Sequence, residues 1–357
     1  MRAAALLLAA TLLAPTATAH AQWTLQPSPT TADLRGIDNV GNGIAWASGT
    51  NGTILRTTDS GAHWQRCTVP PNAEHLDFRG IQAFDANTAI AMSSGPGDQS
   101  RLYKTTDACQ SWHLLFTNPD ETGFWDALVV TSDDESFVLG DPVNGEFRLW
   151  SQIGDNPKWS SDWNNHPVRA LKDETAFAAS NSCLSSGGLG SFSFVTGGLK
   201  PEIIFEVHGI DVKSGMFSNW QRIPLPLAAG PSAGAFSVDR PSNQAFPVVG
   251  GDYLKPNVTE GTAVYTKDWG LHWQAATTPP HGYRSAVAYD ATTRTWITVG
   301  PNGTDISTDD GRNWHPLIPS KDEPPDADRN WNALSLPYVV GPHGRIGLLH
   351  PSALQPH

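Results

Sequence analysis

The chain has 357 residues, of which 33 are Gly and 28 are Pro, a density of turn formers that excludes a helical bundle or a coiled coil. Its 39% hydrophobic residues and 14 Trp supply a core, and with only 16% charged residues it is not a disordered chain. A formal net charge of -12 repels phosphate backbones and anionic headgroups, which excludes nucleic acid as a general partner and requires any anion site to be local.

The chain opens with Met1-Arg2, an apolar run from Ala3 to Ala14, and Ala19-His20-Ala21 ahead of Gln22. That order predicts a secretory signal peptide over residues 1–21 and an exported mature chain, periplasmic or extracellular. The run is too short to span a bilayer and no later stretch reaches roughly 20 apolar residues, so membrane insertion is not expected. Residues 22–357 are read as one domain.

Repeats along that domain set the fold. Thr57-Thr58-Asp59-Ser60-Gly61-Ala62-His63-Trp64 has the form Ser/Thr-x-Asp-x-Gly-x-x-Trp. It returns with Asp268, Gly270 and Trp273, and with Asp309, Gly311 and Trp314. Asp107 and Trp112 belong to a copy with Cys109 in the glycine place, and Lys213 to Trp220 is a worn copy. Such an octet suits a hairpin turn: the Asp accepts from turn N–H groups, the Gly adopts a left-handed conformation, and the Trp covers the turn as the next strand begins. These residues are assigned to structure.

Upstream of the turns lie seven alternating strand starts, recurring with a roughly 50-residue period that suits a four-stranded propeller blade. They begin at Leu34-Arg35-Gly36, Phe78-Arg79-Gly80, Trp125-Asp126-Ala127, Phe177-Ala178-Ala179, Ser232-Ala233-Gly234, Tyr283-Arg284-Ser285 and Trp331-Asn332-Ala333. Second strands tend to end in Gly, as at Gly49, Gly140, Gly250, Gly300 and Gly341, and Asn51-Gly52 and Asn302-Gly303 are read as type I′ turns. The last blade, Trp331 to His350, has room for three strands, while Trp23 to Pro27 repeats the fourth-strand signature. The expected fold is therefore an all-β, seven-bladed β-propeller with its ring closed by the N-terminal strand.

First strands surround a propeller's channel, so Arg35, Arg79, Asp126, Ala178, Ala233, Arg284 and Asn332 are expected to form one ring of side chains near its mouth. Arg284, Asn332, Arg35 and Arg79 fall on four neighbouring blades with Asp126 at the edge. Guanidinium groups there suit bidentate capture of a carboxylate or phosphate; the alternative is that each pairs with a neighbouring carboxylate and ties blades together.

The octet resembles the Asp-box, or bacterial neuraminidase repeat, of sialidases and related propellers. Over Trp23 to His350 the chain resembles the photosystem II stability/assembly factor-like proteins, through Ala45-Trp46-Ala47-Ser48-Gly49, Leu55 to Gly61, Asp77-Phe78-Arg79-Gly80-Ile81 and Gly341 to Ile346. That resemblance implies an exported seven-bladed propeller acting as an assembly chaperone through an arginine-rich patch, here Arg35, Arg79 and Arg284; some relatives are described as oxidoreductases or glycosyl hydrolases. A sialidase-like hydrolase or lyase on an anionic glycan needs further catalytic groups, yet Tyr283 should face away from Arg284 and the ring offers only Asp126 as a carboxylate. A non-catalytic monomer that binds a protein, a peptide or a small anionic ligand is the favoured reading.

No cofactor or metal is expected. Residues 187–190 (Gly-Gly-Leu-Gly) lack a following helical pattern, and the 12 His are scattered. Asp141 to Glu146 and Gly250 to Tyr253 are read as turns rather than calcium loops. Cys67, Cys109 and Cys183 are expected as inert buried thiols, with one disulfide as the alternative.

Overall fold

The computed structural model describes residues 22–131, 135–152, 158–161, 167–186, 192–211, 215–241, 244–319 and 323–354. The predicted signal peptide and residues 187–190 lie outside them. Strand β1 (Trp23–Leu25) is followed by a first blade of β2 (Leu34–Gly41), β3 (Ile44–Gly49), β4 (Ile54–Thr57) and β5 (Gln65–Arg66). The second blade comprises β6 (Phe78–Ala83), β7 (Ala89–Ser93), β8 (Arg101–Thr105) and β9 (His113–Thr117). The third has β10 (Trp125–Val130), β11 (Ser136–Val143) and β12 (Glu146–Gln152), its outer edge met by the isolated bridges Ser151 to Ser160 and Glu146 to Arg169. The fourth has β13 (Leu184–Ser186), β14 (Phe192–Val195), β16 (Glu202–Asp211) and β17 (Gly215–Pro224), while β15 (Gly197–Gly198) crosses to the fifth.

The fifth blade consists of β18 (Gly230–Val238), β19 (Phe246–Asp252), β20 (Ala263–Thr266) and β21 (Gln274–Ala275). The sixth contains β22 (Ala286–Asp290), β23 (Thr295–Gly300), β24 (Gly303–Ser307) and β25 (His315–Leu317), and the seventh β26 (Ala333–Ser335), β27 (Tyr338–Val340) and β28 (Ile346–Leu349). The fourth strand of the seventh blade is β1, antiparallel to β28 with Trp23 opposite Leu349 and Leu25 opposite Gly347. The described residues form no α-helix, and no helix among them is long and apolar enough to cross a membrane.

The core lies in the seams between blades. Trp46 and Ile54 of the first pack with Phe78, Ile81 and Tyr103 of the second, and Leu34, Ala47 and Trp64 pack with Tyr338 and Ile346 of the seventh. Five second strands carry Gly at their ends, at Gly49, Gly140, Gly250, Gly300 and Gly341, because each passes beneath a carbonyl of the chain entering the first strand. A Cβ on Gly49 would sit 2.3 Å from the Asp33 carbonyl oxygen, and one on Gly341 would sit 1.9 Å from that of Asn330.

The four complete boxes join third to fourth strands and share one set of bonds. Thr57 Oγ1–H donates to Asp59 Oδ1 (2.9 Å) and accepts from Gly61 N–H (3.0 Å), while Asp59 Oδ1 accepts from His63 N–H (2.9 Å). Asp107, Asp268 and Asp309 repeat the pattern. The His63 backbone and ring hold the exposed Asp59 carboxyl down at about 2, and Ser111 and His272 do the same for Asp107 and Asp268. Two successive residues take positive φ, Ser60 (60°) and Gly61 (82°), where one was expected. Trp64, Trp112 and Trp314 are buried, and Trp273 is half-buried.

Several expectations fail for local reasons. The worn copy is no box: Trp220 lies within β17, paired with Glu206 in a long hairpin, and residues 213–214 are outside the described set. Asn51 (φ 56°) and Gly52 (φ 65°) do form a turn with both residues left-handed, but β23 and β24 are joined through Pro301-Asn302, with Gly303 already in the ladder. Cys67 and Cys109 are not thiols but a disulfide linking the first two blades, with Cα atoms 5.3 Å apart. The Cys in the glycine place of the second box is reached by the end of the neighbouring blade's fourth strand; Cys183 alone is free, and buried.

Candidate functional site

At one end of the channel the chain enters each first strand, and four of these strands bulge there. The register passes from Leu34 to Gly36, from Phe78 to Gly80, from Trp125 to Ala127 and from Ala235 to Ser237, skipping Arg35, Arg79, Asp126 and Phe236. A bulge leaves its extra residue unpaired and re-aims its side chain. Arg35, Arg79 and Asp126 therefore occupy equivalent places, as expected. The fifth blade supplies Phe236 rather than Ala233. In the sixth blade the carbonyl against the second-strand Gly belongs to Tyr283, as that of Asp33 does in the first blade. Ser285 is thus the counterpart of Arg35, and Arg284 is out of register by one residue, which turns it to the other face.

That slip decides the fate of Arg284. It is fully buried in its own blade, where Nε–H donates to Asp305 Oδ2 (2.8 Å), Nη2 donates to the same carboxylate, and Nη1 donates to the Tyr283 carbonyl (2.8 Å) and Asn302 Oδ1 (2.5 Å). Burial tends to raise the Asp305 carboxyl, but His281 and Arg284 outweigh it and hold it below the usual range. Asn332 is likewise committed, its Nδ2–H donating to the Leu34 carbonyl across the junction of the seventh and first blades (2.8 Å). Neither residue presents its side-chain donors to a ligand in the arrangement expected for an anion-binding arc.

Arg79 is partly committed. Its Nε–H donates to Asp77 Oδ2 (2.8 Å) and Nη1 to the Ala178 carbonyl (3.2 Å), with the guanidinium over the Phe124 ring. Asp126 is buried. Desolvation pushes the Asp126 carboxyl well up, the charge of Asp141 adds to this, and Arg79 opposes it. Asp141, also raised by burial, accepts from the Thr175 hydroxyl and from Ala176 N–H (3.1 Å). Asp141 and Glu146 sit in a tight hairpin with Asn144 (φ 55°) and Gly145 (φ 81°) at its tip. Asp252 also serves a turn, accepting from Ser232 and Leu254 N–H. Among the described residues no group of three His, Cys, Asp or Glu could hold a metal ion.

Arg35 differs from the others. Its Nε is buried without an acceptor, and no carboxylate lies within ion-pair reach among the described residues. Its charge opposes the burial that raises the nearby Tyr283 phenol. Tyr283 belongs to an aromatic group missed by motif matching: Phe236 packs edge-on to Tyr283 (4.8 Å) and Tyr253 (6.2 Å) and stacks on Phe177 (3.9 Å). The strip continues outward through the exposed Tyr253, Leu254 and Val258 of the loop between β19 and β20.

Residues 177–183 are not the innermost strand expected from Phe177-Ala178-Ala179-Ser180; they run down the channel and stopper it. Ser180 Oγ–H donates to the Ser285 carbonyl (2.7 Å) and Ser182 Oγ–H to Ser237 Oγ (2.7 Å). Asn181 clamps the backbone of Leu128 with both ends of its amide (2.7 and 2.9 Å). Below this stopper, where the first strands end, lies a cavity of about 480 Å³ lined from all seven blades, including Asp38, Gln82, Asn181, Asp239, Arg240 and Tyr289. Asp38 Oδ2 accepts from Gln82 Nε2 (2.9 Å) and Ala83 N–H (2.7 Å), and burial pushes the carboxyl up to about 6.

No protein-family model matches the chain, and no curated protein matches it. Solved structures do. YCF48 bound to D1 peptide superposes with a TM-score of 0.61 at 15% identity, covering 94% of this chain and 99% of that chain. YCF48 from Cyanidioschyzon merolae gives 0.58 at 16%, covering 93% and 100%. The extracellular domain of BT4673 from B. thetaiotaomicron gives 0.59 at 12%, covering 92% of this chain and 40% of that one. The likeness is one of fold, over nearly the whole chain.

Proposed function

We propose that this chain is an exported, monomeric, non-catalytic propeller that binds an extended peptide segment of a protein partner, as an assembly or stability factor, at the channel end marked by Arg35. The observation that carries the reading is the junction there of a guanidinium lacking a carboxylate among the described residues with an aromatic strip that runs to exposed Tyr253, Leu254 and Val258. An anionic group on the peptide suits Arg35 and the free edge of Arg79; apolar side chains suit the strip. One of the structures sharing the fold is described as bound to a peptide. Binding is favoured over glycan hydrolysis because Asp126 is buried rather than open to a scissile bond. Export is supported by the N-terminal leader pattern and by the Cys67–Cys109 disulfide, a bond typical of oxidising compartments.

Selection from a library of short random peptides with free C-termini tests the reading. Enriched peptides should combine a carboxylate with apolar residues. Arg35→Ala should weaken them about tenfold or more, since charge-assisted hydrogen bonds contribute roughly 1.5–3 kcal/mol, and should leave the melting curve nearly unchanged. Arg284→Ala should instead cost about 3–5 kcal/mol of stability by stranding buried Asp305. Failure to select any peptide, or full affinity in Arg35→Ala, would overturn the assignment.

A further inference from the structure

The Asn302 side chain lies between the buried arginine of the sixth blade and the loop that carries Tyr253, Leu254 and Val258. Its Oδ1 accepts from Arg284 Nη1 (2.5 Å), while Nδ2 donates to the His281 carbonyl (2.8 Å) and the Pro256 carbonyl (3.0 Å), with Asn257 Oδ1 at 3.4 Å. A guanidinium only donates and a carbonyl only accepts, so these partners fix which end of the amide faces which way. Arg284 is in turn held by Asp305. His281 meets Asp305 Oδ1 through Nδ1 (2.8 Å) and the Asn302 carbonyl through Nε2 (3.0 Å).

Among the described residues, the hydrogen bonds from residues 253–258 to the sixth blade all end on Pro256 and Asn257. They come from Asn302 Nδ2 and, on the same Pro256 carbonyl, from Tyr283 N–H (3.0 Å). Inside the loop, Lys255 N–H donates to the Asp252 carbonyl (2.9 Å) and Val258 N–H to that of Lys255 (3.0 Å). The junction with the sixth blade is closely fitted. A Cβ on Gly282 (φ 154°) would lie 2.1 Å from the Pro256 carbonyl oxygen and 2.2 Å from Asn302 Nδ2, so the chain is glycine where the two meet.

We propose that Asn302 is the positioning residue of the peptide surface, holding the loop of Tyr253, Leu254 and Val258 in the orientation that the buried Arg284–Asp305 pair sets. Arg284, fully buried, then acts on binding only through Asn302. The inference rests on the reading of the Arg35 end as a peptide site. A loop held in place before the peptide arrives does not have to be ordered by it, so Asn302 strengthens the apolar part of the affinity. If Asn302 served only to satisfy Arg284, that part would not depend on its N–H groups.

Asn302→Asp separates the two roles, because a carboxylate still accepts from Arg284 but has no N–H for the Pro256 carbonyl. In the free protein, hydrogen–deuterium exchange at the amides of Lys255, Val258 and Tyr283 should quicken about tenfold, the scale of two lost hydrogen bonds, with the box hairpins unchanged. A library-selected peptide that combines a carboxylate with apolar residues should bind the variant about tenfold more weakly. Gly in place of that peptide's most important apolar residue should then weaken binding less in the variant than in the unchanged protein, the coupling expected of groups that act together. Gly282→Ala, which puts a Cβ between the Pro256 carbonyl and Asn302 Nδ2 and leaves the Arg284 bonds in place, should reproduce the pattern, with melting curves verifying both folds. Failure to select any peptide would overturn the peptide reading and the affinity claim with it. Unaltered exchange at these amides in the folded variants, undiminished affinity for the selected peptide, or an equal loss on the Gly replacement in variant and unchanged protein would overturn the positioning claim alone.

Discussion

At the scale of single residues, one peptide unit separates a free arginine from a buried one. Arg35 sits on the extra residue of a bulge and keeps its guanidinium without a carboxylate among the described residues, while Arg284, one place out of register, is bound on all three side-chain nitrogens. Titration offers a second test at this scale. Desolvation, larger than the opposing bonds from Ala83 and Gln82, raises the Asp38 carboxyl to about 6. A group raised on folding contributes stability that is complete below its unfolded value near 4 and lost as pH rises through about 6. Asp38→Asn should therefore flatten the pH dependence of stability between about 4 and 6 and leave the variant more stable at neutral pH by roughly 2–3 kcal/mol. Chemical denaturation at several pH values checks it; a variant no more stable at neutral pH would show that the channel solvates this carboxylate.

The candidate site was only partly legible in the sequence. Strand-start matching placed Arg35, Arg79, Asp126 and Asn332 at equivalent positions, because each lies beside a conspicuous aromatic or aliphatic residue and a small one. It misplaced Ala233 and Arg284, since runs of small residues, Ala233-Gly234-Ala235 and Ser285-Ala286, leave more than one register open to the match. The partners that decide availability are also remote in sequence. Asp305 is on the third strand of its blade and Tyr253 is in a loop of the one before, so no local pattern could reveal that one neutralises Arg284 while the other belongs beside the aromatic strip that Arg35 faces.

At the scale of elements, the boxes and the second-strand glycines were legible because each answers a local demand: a turn with two left-handed residues, or a close approach of two backbones. Residues 177–183 were not, because small polar residues in an extended stretch read alike whether they join a sheet or fill a channel. The disulfide was missed for a related reason, since Cys67 and Cys109 meet only when two blades are side by side. The short β1 shows how one element can hold the ring. Trp23 packs on Trp331 with centroids 5.8 Å apart, and its indole N–H donates to Thr304 Oγ1 in the sixth blade (3.1 Å). Trp23→Ala should cost about 3–5 kcal/mol, the range for emptying a buried Trp site, and lower the melting temperature accordingly. A melting curve like that of the unchanged protein would mean that the ring does not rely on this strand for closure.

At the scale of the whole molecule, seven near-equivalent blades produce a channel whose two ends are chemically unlike. One end presents Arg35, Arg79 and an aromatic strip; the other opens into a mainly polar cavity lined from all seven blades, and residues 177–183 separate them. The asymmetry arises where the repeat is broken, in the fourth blade without its box and in the bulges of the first strands. Hydrogen–deuterium exchange of the protein with and without a library-selected peptide tests most directly which face receives a partner. The account predicts slowed exchange in residues 252–258 and around Phe177, Tyr283 and Arg35, with the box hairpins at Asp59, Asp107, Asp268 and Asp309 unchanged. Protection centred on those hairpins or on the outer strands, with the Arg35 end exchanging as in the free protein, would contradict it.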